Sequence, residues 1–486
     1  MNKKIGAIKN KFKEVRVFLS GTLTVIDWAA MLAGLIFCFM TMYYADITVT
    51  GQYGLTFWDS LFDGRPLSFY YNALNNGVAP EGAVYDIGIY IIFGIWQLPV
   101  WILNKLFGVS ALSVGALLWL KLLPILFTLT SAYEVKEAGR RIGIASDRLP
   151  YLVIIYLLTS TVIMPTFVVA QYDVISLYFM LKAINGYLEG DDRKFYLSFA
   201  MGLTIKPIII IALVVLVVIK DKNVLRIVID LFKGCILLIA CKGIYSLDPS
   251  YRISCTGFLS EGLESVFSET LALEGSSEIG SFPLLILGLV IIYILAYVKD
   301  TLVGTVAGNR EVVWFVFSVW AAFVTLGSVT PYWTIYFAPF AVLVAFTVSV
   351  NTSRVLLIEA VMNAALTIVK IMRYAWVYGG SMTYKYLVLK PLCEGITNNN
   401  DGVTVAGIFT RLHLSEKLPY VNSILLGAMI MLLYYGWKNI NSAVSHTESE
   451  EADSKGLIWN VRLRILMLWG WIGVSVCALI LYVIGY

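Results

Sequence analysis

Apolar runs of membrane-crossing length recur from one end of this chain to the other, separated by short polar or charged segments. The first, at 26–44, is broken only by Asp27. It follows a basic leader with Lys3, Lys4, Lys9, Lys11, Lys13 and Arg16. Further runs occupy about 85–107, 110–132, 195–219, 231–246, 283–298, 312–328, 335–350, 355–374, 421–437 and 463–484, and others flank Gln171-Tyr172-Asp173. Repeats of this length predict transmembrane helices, because a helix satisfies its own backbone amides in lipid. The pattern therefore predicts an all-α polytopic membrane protein of about 13 transmembrane helices. With 59% hydrophobic and 14% charged residues and a mean hydropathy of +0.79, a soluble globular domain is excluded.

Placing basic clusters on the cytoplasmic side sets the orientation. The leader lacks a small-residue cleavage site and reads as part of a retained first helix, with the N-terminus inside and Asp46 outside. Arg140, Arg141 and Arg148 must also be inside, so only one of the runs 85–107 and 110–132 crosses. The 85–107 run carries Asp86, Gln97, Pro99 and Asn104 with Trp96 and Trp101, a mixture suited to an interfacial helix. The first extracytoplasmic loop then spans 45–109. At 195–222, basic residues bracket an apolar run with Lys206-Pro207 at its centre. Proline interrupts helical hydrogen bonding, so two short helices forming a hairpin with Lys206 near its outer tip are expected. A kinked single span with a snorkelling lysine is the alternative. Outer loops follow with Glu261, Glu264, Glu269, Glu274 and Glu278, and at 377–419. The charged run at 446–456 reads as an inner linker, and the C-terminus is expected outside.

The net charge of +4 adds nothing to this picture; the placement of the charges does. Six cysteines are scattered without paired spacing, and Cys255 with Cys393 could form a disulfide or stand as two independent thiols. Two distant histidines, His413 and His446, make a zinc centre improbable. Phosphate-loop, dinucleotide and zinc-protease motifs are absent, and no internal repeat of the kind found in inverted-repeat transporters is visible. Polar residues instead converge on the outer leaflet: Asp46, Lys121, Gln171, Asp173, Lys206 and the turn Thr330-Pro331-Tyr332-Trp333. Two carboxylates and two lysines at one depth suit transfer from a phosphate-linked lipid. The lysines would bind the leaving phosphate, and a carboxylate would take the proton of an attacking hydroxyl. Structural pairing of each lysine with an acid is the plainer reading of any one of them.

At these residues the chain resembles the GT-C superfamily of membrane glycosyltransferases. Asp46 matches the acid those enzymes carry just past the first span. Val84-Tyr85-Asp86-Ile87 stands where they have a Tyr-Pro-Pro-like element, without its prolines. Ala170-Gln171-Tyr172-Asp173 is similar to a Gly-Gln-Phe-Asp-like element, and Gly202-Leu203-Thr204-Ile205-Lys206-Pro207 to a Gly-Leu-x-x-x-Lys-Pro element. Lys121-Leu122-Leu123-Pro124 is a looser version of Arg-Leu-Pro, and Pro331-Tyr332-Trp333 resembles a late Pro-aromatic turn. The resemblance covers about 46–350, where the first loop opens with a single acid and many relatives have a pair.

This resemblance implies a catalytic transmembrane module at 1–350 and a C-terminal transmembrane region at 351–486. The implied reaction moves a sugar, with inversion, from a polyprenyl-phosphate donor to a hydroxyl of a glycan, lipid or protein acceptor. Asp46 would be the general base. Lys121 and Lys206 would hold the donor phosphate, with Gln171, Asp173, Asp86, Tyr85, Tyr332 and Trp333 in support. Neither a metal nor a cofactor is implied, and the partners are the two substrates and the bilayer, not nucleic acid. The site would face outward from a multi-pass protein of the plasma membrane. A lipid-linked oligosaccharide flippase or transporter, and a non-catalytic lipid-binding scaffold, are the competing expectations.

Overall fold

In the computed structural model, which describes residues 23–272, 280–348, 352–374, 405–441 and 450–483, the apolar runs are helices. The basic leader, most of the 377–419 loop and Cys393 lie outside the described residues. The chain begins with α1 (Val25–Thr41), α2 (Ala45–Phe62), the short α3 (Phe69–Asn75), α4 (Ile87–Phe107) and α5 (Val114–Arg141). It continues through α6 (Leu149–Leu157), α7 (Ser160–Ile163), α8 (Asp173–Glu189), α9 (Asp192–Leu203), α10 (Ile210–Lys220), α11 (Val224–Tyr245) and α12 (Pro249–Val266). Two three-residue strands, Thr270–Ala272 and Ser281–Pro283, pair antiparallel. Then come α13 (Leu284–Val298), α14 (Val306–Leu326), α15 (Ala338–Thr347), α16 (Thr352–Arg373), α17 (Val405–Arg411), α18 (Leu418–Lys438) and α19 (Glu450–Val483). Among the described residues, six helices are long and apolar enough to cross a membrane, or up to eight if each of two bent pairs is one span.

Helices apolar all round should be buried all round, and α8, α14 and α15 form the centre. The hairpin expected at Lys206-Pro207 is present. Lys220 Nζ, at the end of α10, lies 2.5 Å from Asp192 Oδ1 at the start of α9 and donates to Tyr196 Oη at 2.9 Å. The chain therefore doubles back at Lys206. Other helix ends meet beside this pair. Arg141 bonds Glu189, and Arg310 Nε donates to the Ile142 carbonyl at 2.8 Å. Arg310 also reaches the Asn439 carbonyl, and Lys299 pairs with Glu311. These contacts define a basic pole. The opposite ends of α8 and α9, with Asp173 and Lys206, define a second pole roughly 25 Å away at 1.5 Å per helical residue.

Two segments read as loops are helical. α12 occupies the first part of the acidic segment, because Pro249 suits the first helical turn and Asp248 Oδ1 accepts from the Ser250 amide at 2.8 Å. α19 starts at Glu450, inside the expected linker, where acids favour a helix N-terminus. α1 and α19 run parallel: Arg462 pairs with Asp27, and Trp469 Nε1 donates to the Ala30 carbonyl. The C-terminal region is stitched to the rest through buried polar groups. Arg464 pairs with Glu359, Asn363 Nδ2 donates to Glu359 Oε1 at 2.6 Å, and Thr161 Oγ1 donates to Asn363 Oδ1 at 2.6 Å.

α2 and α4 approach closely at glycines. A Cβ added to Gly54 would stand 2.8 Å from the Phe93 carbonyl carbon, and Trp58 Nε1 donates to the Gly94 carbonyl at 2.7 Å. Gly54→Ala is therefore expected to lower stability by about 1–3 kcal/mol. At Gly115 the added Cβ meets nothing within 4 Å. Gly115→Ala should be neutral or stabilising by up to about 1 kcal/mol. Thermal unfolding of both variants in the same detergent tests the contrast.

Candidate active site

The site begins at the break between α1 and α2, which bend by 63°. A helix end leaves carbonyls without partners. Here the Lys121 ammonium, on a residue only 1% exposed, donates to the carbonyls of Cys38 at 3.1 Å, Phe39 at 2.6 Å and Met42. A cation at a helix C-terminus also complements its dipole. The Tyr44 amide bonds the Val169 carbonyl at 3.0 Å, fastening the break to the segment before α8. Asp46 then falls in the first turn of α2, where a carboxylate is favoured.

The partner segment is irregular. A π-turn at Met164–Val168 leads to Ala170 at φ +61°, a left-handed conformation costing a non-glycine residue roughly 1–2 kcal/mol. That turn directs Gln171, whose amide bonds the Pro165 carbonyl at 2.8 Å, toward α2. Gln171 Nε2 donates to Asp46 Oδ2 at 2.6 Å. Asp46 remains partly exposed, whereas Gln171 and Asp173 are buried.

Asp173 opens α8 and faces Lys206 at the hairpin tip, with Oδ1 3.6 Å from Nζ. Tyr336 Oη donates to the same oxygen at 3.4 Å and lies 2.6 Å from Ser176 Oγ. The Lys206 ammonium also sits 3.9 Å from the ring centre of Tyr85 and 5.0 Å from that of Tyr172, within cation–π range. Two buried acceptors in this cluster, Gln171 Oε1 and Asp173 Oδ2, have no hydrogen-bond partner among the described residues.

Lys206 and Tyr85 also form part of the wall of a cavity of about 360 Å³. The wall also carries Thr330, Tyr332 and Trp333, whose indole Nε1 is buried without a hydrogen-bond partner among the described residues. Val84, Pro207, Ile208, Ile210 and Val266 make much of the remaining wall apolar. The Thr330 turn is fixed from the C-terminal region, since Lys370 Nζ donates to the Val329 carbonyl at 2.8 Å. Asp86 lies on the cavity wall too, paired with Lys242 Nζ at 3.1 Å and accepting from Tyr251 Oη at 2.8 Å.

Asp46, Gln171, Asp173, Lys206 and Tyr85 thus form one cluster, and Lys206 and Tyr85 join it to the cavity bearing Asp86, Tyr332 and Trp333. Lys121 is not part of this arrangement; its three N–H groups are on main-chain carbonyls of α1 and the break. The second lysine on the cavity wall is Lys242, whose side chain is 37% exposed. Sequence reasoning missed it, although a lysine at the end of an apolar run was the available signal. Tyr251 and Tyr336 carried no such signal. Cys255 is a buried free thiol whose Sγ lies 3.4 Å from the Ala83 carbonyl. No protein-family model, curated protein or solved structure matches this chain.

The position of Lys121 has a measurable consequence. Lys121→Met strands carbonyls in an apolar setting and is expected to cost about 1–3 kcal/mol of stability. Thermal unfolding in detergent should register this as a lower transition temperature. An unchanged transition would show that the ammonium is dispensable for the break.

Proposed function

We propose that this protein is a GT-C-like membrane glycosyltransferase, moving a sugar from a polyprenyl-phosphate donor to an acceptor hydroxyl. One observation carries the reading: a partly exposed carboxylate, Asp46, is held by Gln171, two residues before Asp173 of a buried Asp173–Lys206 pair, and that lysine borders a largely apolar cavity. In this reading the donor's isoprenoid end occupies the apolar part of the cavity and its phosphate lies at Lys206. The acceptor approaches Asp46. Its oxygen attacks the anomeric carbon as Asp46 takes the hydroxyl proton, and the bond from that carbon to the phosphate oxygen breaks. The polyprenyl phosphate leaves with the bonding pair, and Lys206 stabilises its charge. Attack opposite the leaving group inverts the anomeric centre. Asp173 holds Lys206 in place, and Lys242 takes the place of Lys121 as the second cation near the phosphate.

Membrane placement belongs to the same reading. A basic pole turned to the cytoplasm would put the Asp46 pole outside, with the N-terminus inside and about thirteen crossings of the plasma membrane in total. The parallel course of α1 and α19 supports opposite sides for the two termini. The polar interruptions of α4 support a flat course for that helix, although its 21 residues are enough to cross.

The test is radiolabelled sugar transfer from native polyprenyl-phosphate donors to a membrane extract, with and without the purified protein. Asp46→Asn keeps the side chain's shape but cannot take the proton. A loss of transfer of about 10²–10⁴-fold is expected, with donor binding and thermal stability retained. Near-normal transfer by the Asn variant would remove Asp46 as the base. Donor binding by the wild type without any transfer would return the scaffold reading.

A further inference from the structure

A second cavity, of about 410 Å³, lies at the basic pole between α9 and α11, remote from Lys206. Its wall on α9 is one helical stripe, beginning with Asp192 and Arg193 and continuing through Tyr196 to Leu197 and Ala200. Its wall on α11 is Lys233 followed by Ile236 and Leu237. The groove is thus polar where it meets the basic pole and apolar beyond it, and Leu197, Ile236 and Leu237 are exposed.

The charges at the polar end do not balance. Lys220 is taken by Asp192 at 2.5 Å and Lys233 by Asp230 at 2.8 Å. Arg193 is exposed and has no ion pair or hydrogen bond among the described residues. The groove's own lining thus carries two cations, Arg193 and Lys233, against one carboxylate, Asp192, while Asp191 beside its mouth is engaged as the cap of α9 through the Lys194 amide. Lys220 and Lys233 both lie over the Tyr196 ring, at 4.8 and 5.2 Å, which gathers the cations at one place.

We propose that this groove binds one anionic glycerophospholipid, its phosphodiester on Arg193 and Lys233 and an acyl chain along Leu197, Ala200, Ile236 and Leu237. A guanidinium offers two parallel donors to a phosphate, and basic pockets between membrane helices suit anionic headgroups. A zwitterionic headgroup would bring its own ammonium against the excess positive charge, so selection for net negative lipid follows. The proposal is independent of the transfer reaction.

The protein in detergent micelles is titrated with phosphatidylglycerol, phosphatidylcholine or inorganic phosphate, and bound lipid is counted by native mass spectrometry. One phosphatidylglycerol retained in preference to phosphatidylcholine is expected. Each cation near the surface is worth about fivefold in affinity, so Arg193→Gln alone should weaken retention about fivefold. Arg193→Gln with Lys233→Gln should weaken it at least tenfold. The single variant removes no contact made within the protein, so it serves even if the double variant unfolds. Equal retention of both lipids, unchanged retention by Arg193→Gln, or displacement by millimolar inorganic phosphate would each overturn the proposal.

Discussion

The arrangement at the Asp46 pole depends on one buried lysine filling a break in a helix. Lys121 reaches from α5 into the bend between α1 and α2 and donates to three carbonyls there. Without it, the helix end would expose acceptors in an apolar environment, where each unpaired polar group is costly. With it, α1 can stop short and α2 can leave at a steep angle. The Tyr44 amide is then free to bond the Val169 carbonyl, and the first turn of α2 carries Asp46 to Gln171. A lysine inside a membrane is expensive on its own account. Here that cost is offset by three hydrogen bonds, so structure alone explains why the residue is a lysine.

The same economy recurs where other helices break. At the α9–α10 hairpin the chain turns at Lys206, which is held by Asp173 and two tyrosine rings, and the hairpin's open end is tied by Lys220 and Asp192. At the turn before α15, Lys370 bonds the Val329 carbonyl. Each break is secured by a side chain from a distant helix. The C-terminal region therefore supports the cavity that lies mostly in the preceding part of the chain, since Lys370 belongs to α16. The buried Arg464–Glu359 pair joins α16 to α19 and, through Asn363 and Thr161, to α7.

What could be read from the sequence divides along physical lines. The helices were legible because membrane length and hydropathy are local properties. The Lys206 hairpin was legible because proline and bracketing charges act within one segment. Asp46, Gln171 and Asp173 stood out because each lies at the edge of an apolar run. The carbonyl contacts of Lys121 were not legible, because a lysine in an apolar run looks the same whether it meets a ligand or a helix end 83 residues away. The Asp86–Lys242 pair spans 156 residues, and no local pattern announces it. α12 was hidden because its glutamates suggest an exposed loop, whereas the helix start rests on Pro249 and Asp248.

The hydrogen bonds the cluster leaves unmade are as informative as those it makes. A purely structural ion pair in the core would be expected to use its acceptors, because a buried unpaired one costs about 1–3 kcal/mol. The Arg464–Glu359 network does this: Glu359 receives Arg464 on one oxygen and Asn363 on the other. Around Asp46 the pattern differs, with Asp173 Oδ2 and Gln171 Oε1 both left over and Trp333 Nε1 unpaired at the cavity wall. Two open acceptors near a carboxylate suit a partner rich in hydroxyl donors. An open indole donor on the cavity wall that Lys206 also lines suits one that brings oxygen acceptors. A phosphate-linked sugar and an acceptor hydroxyl supply both, whereas a purely apolar lipid would leave all three atoms unsatisfied. The second core thus meets its own polar needs, while in the proposed reading the first meets them with its substrates.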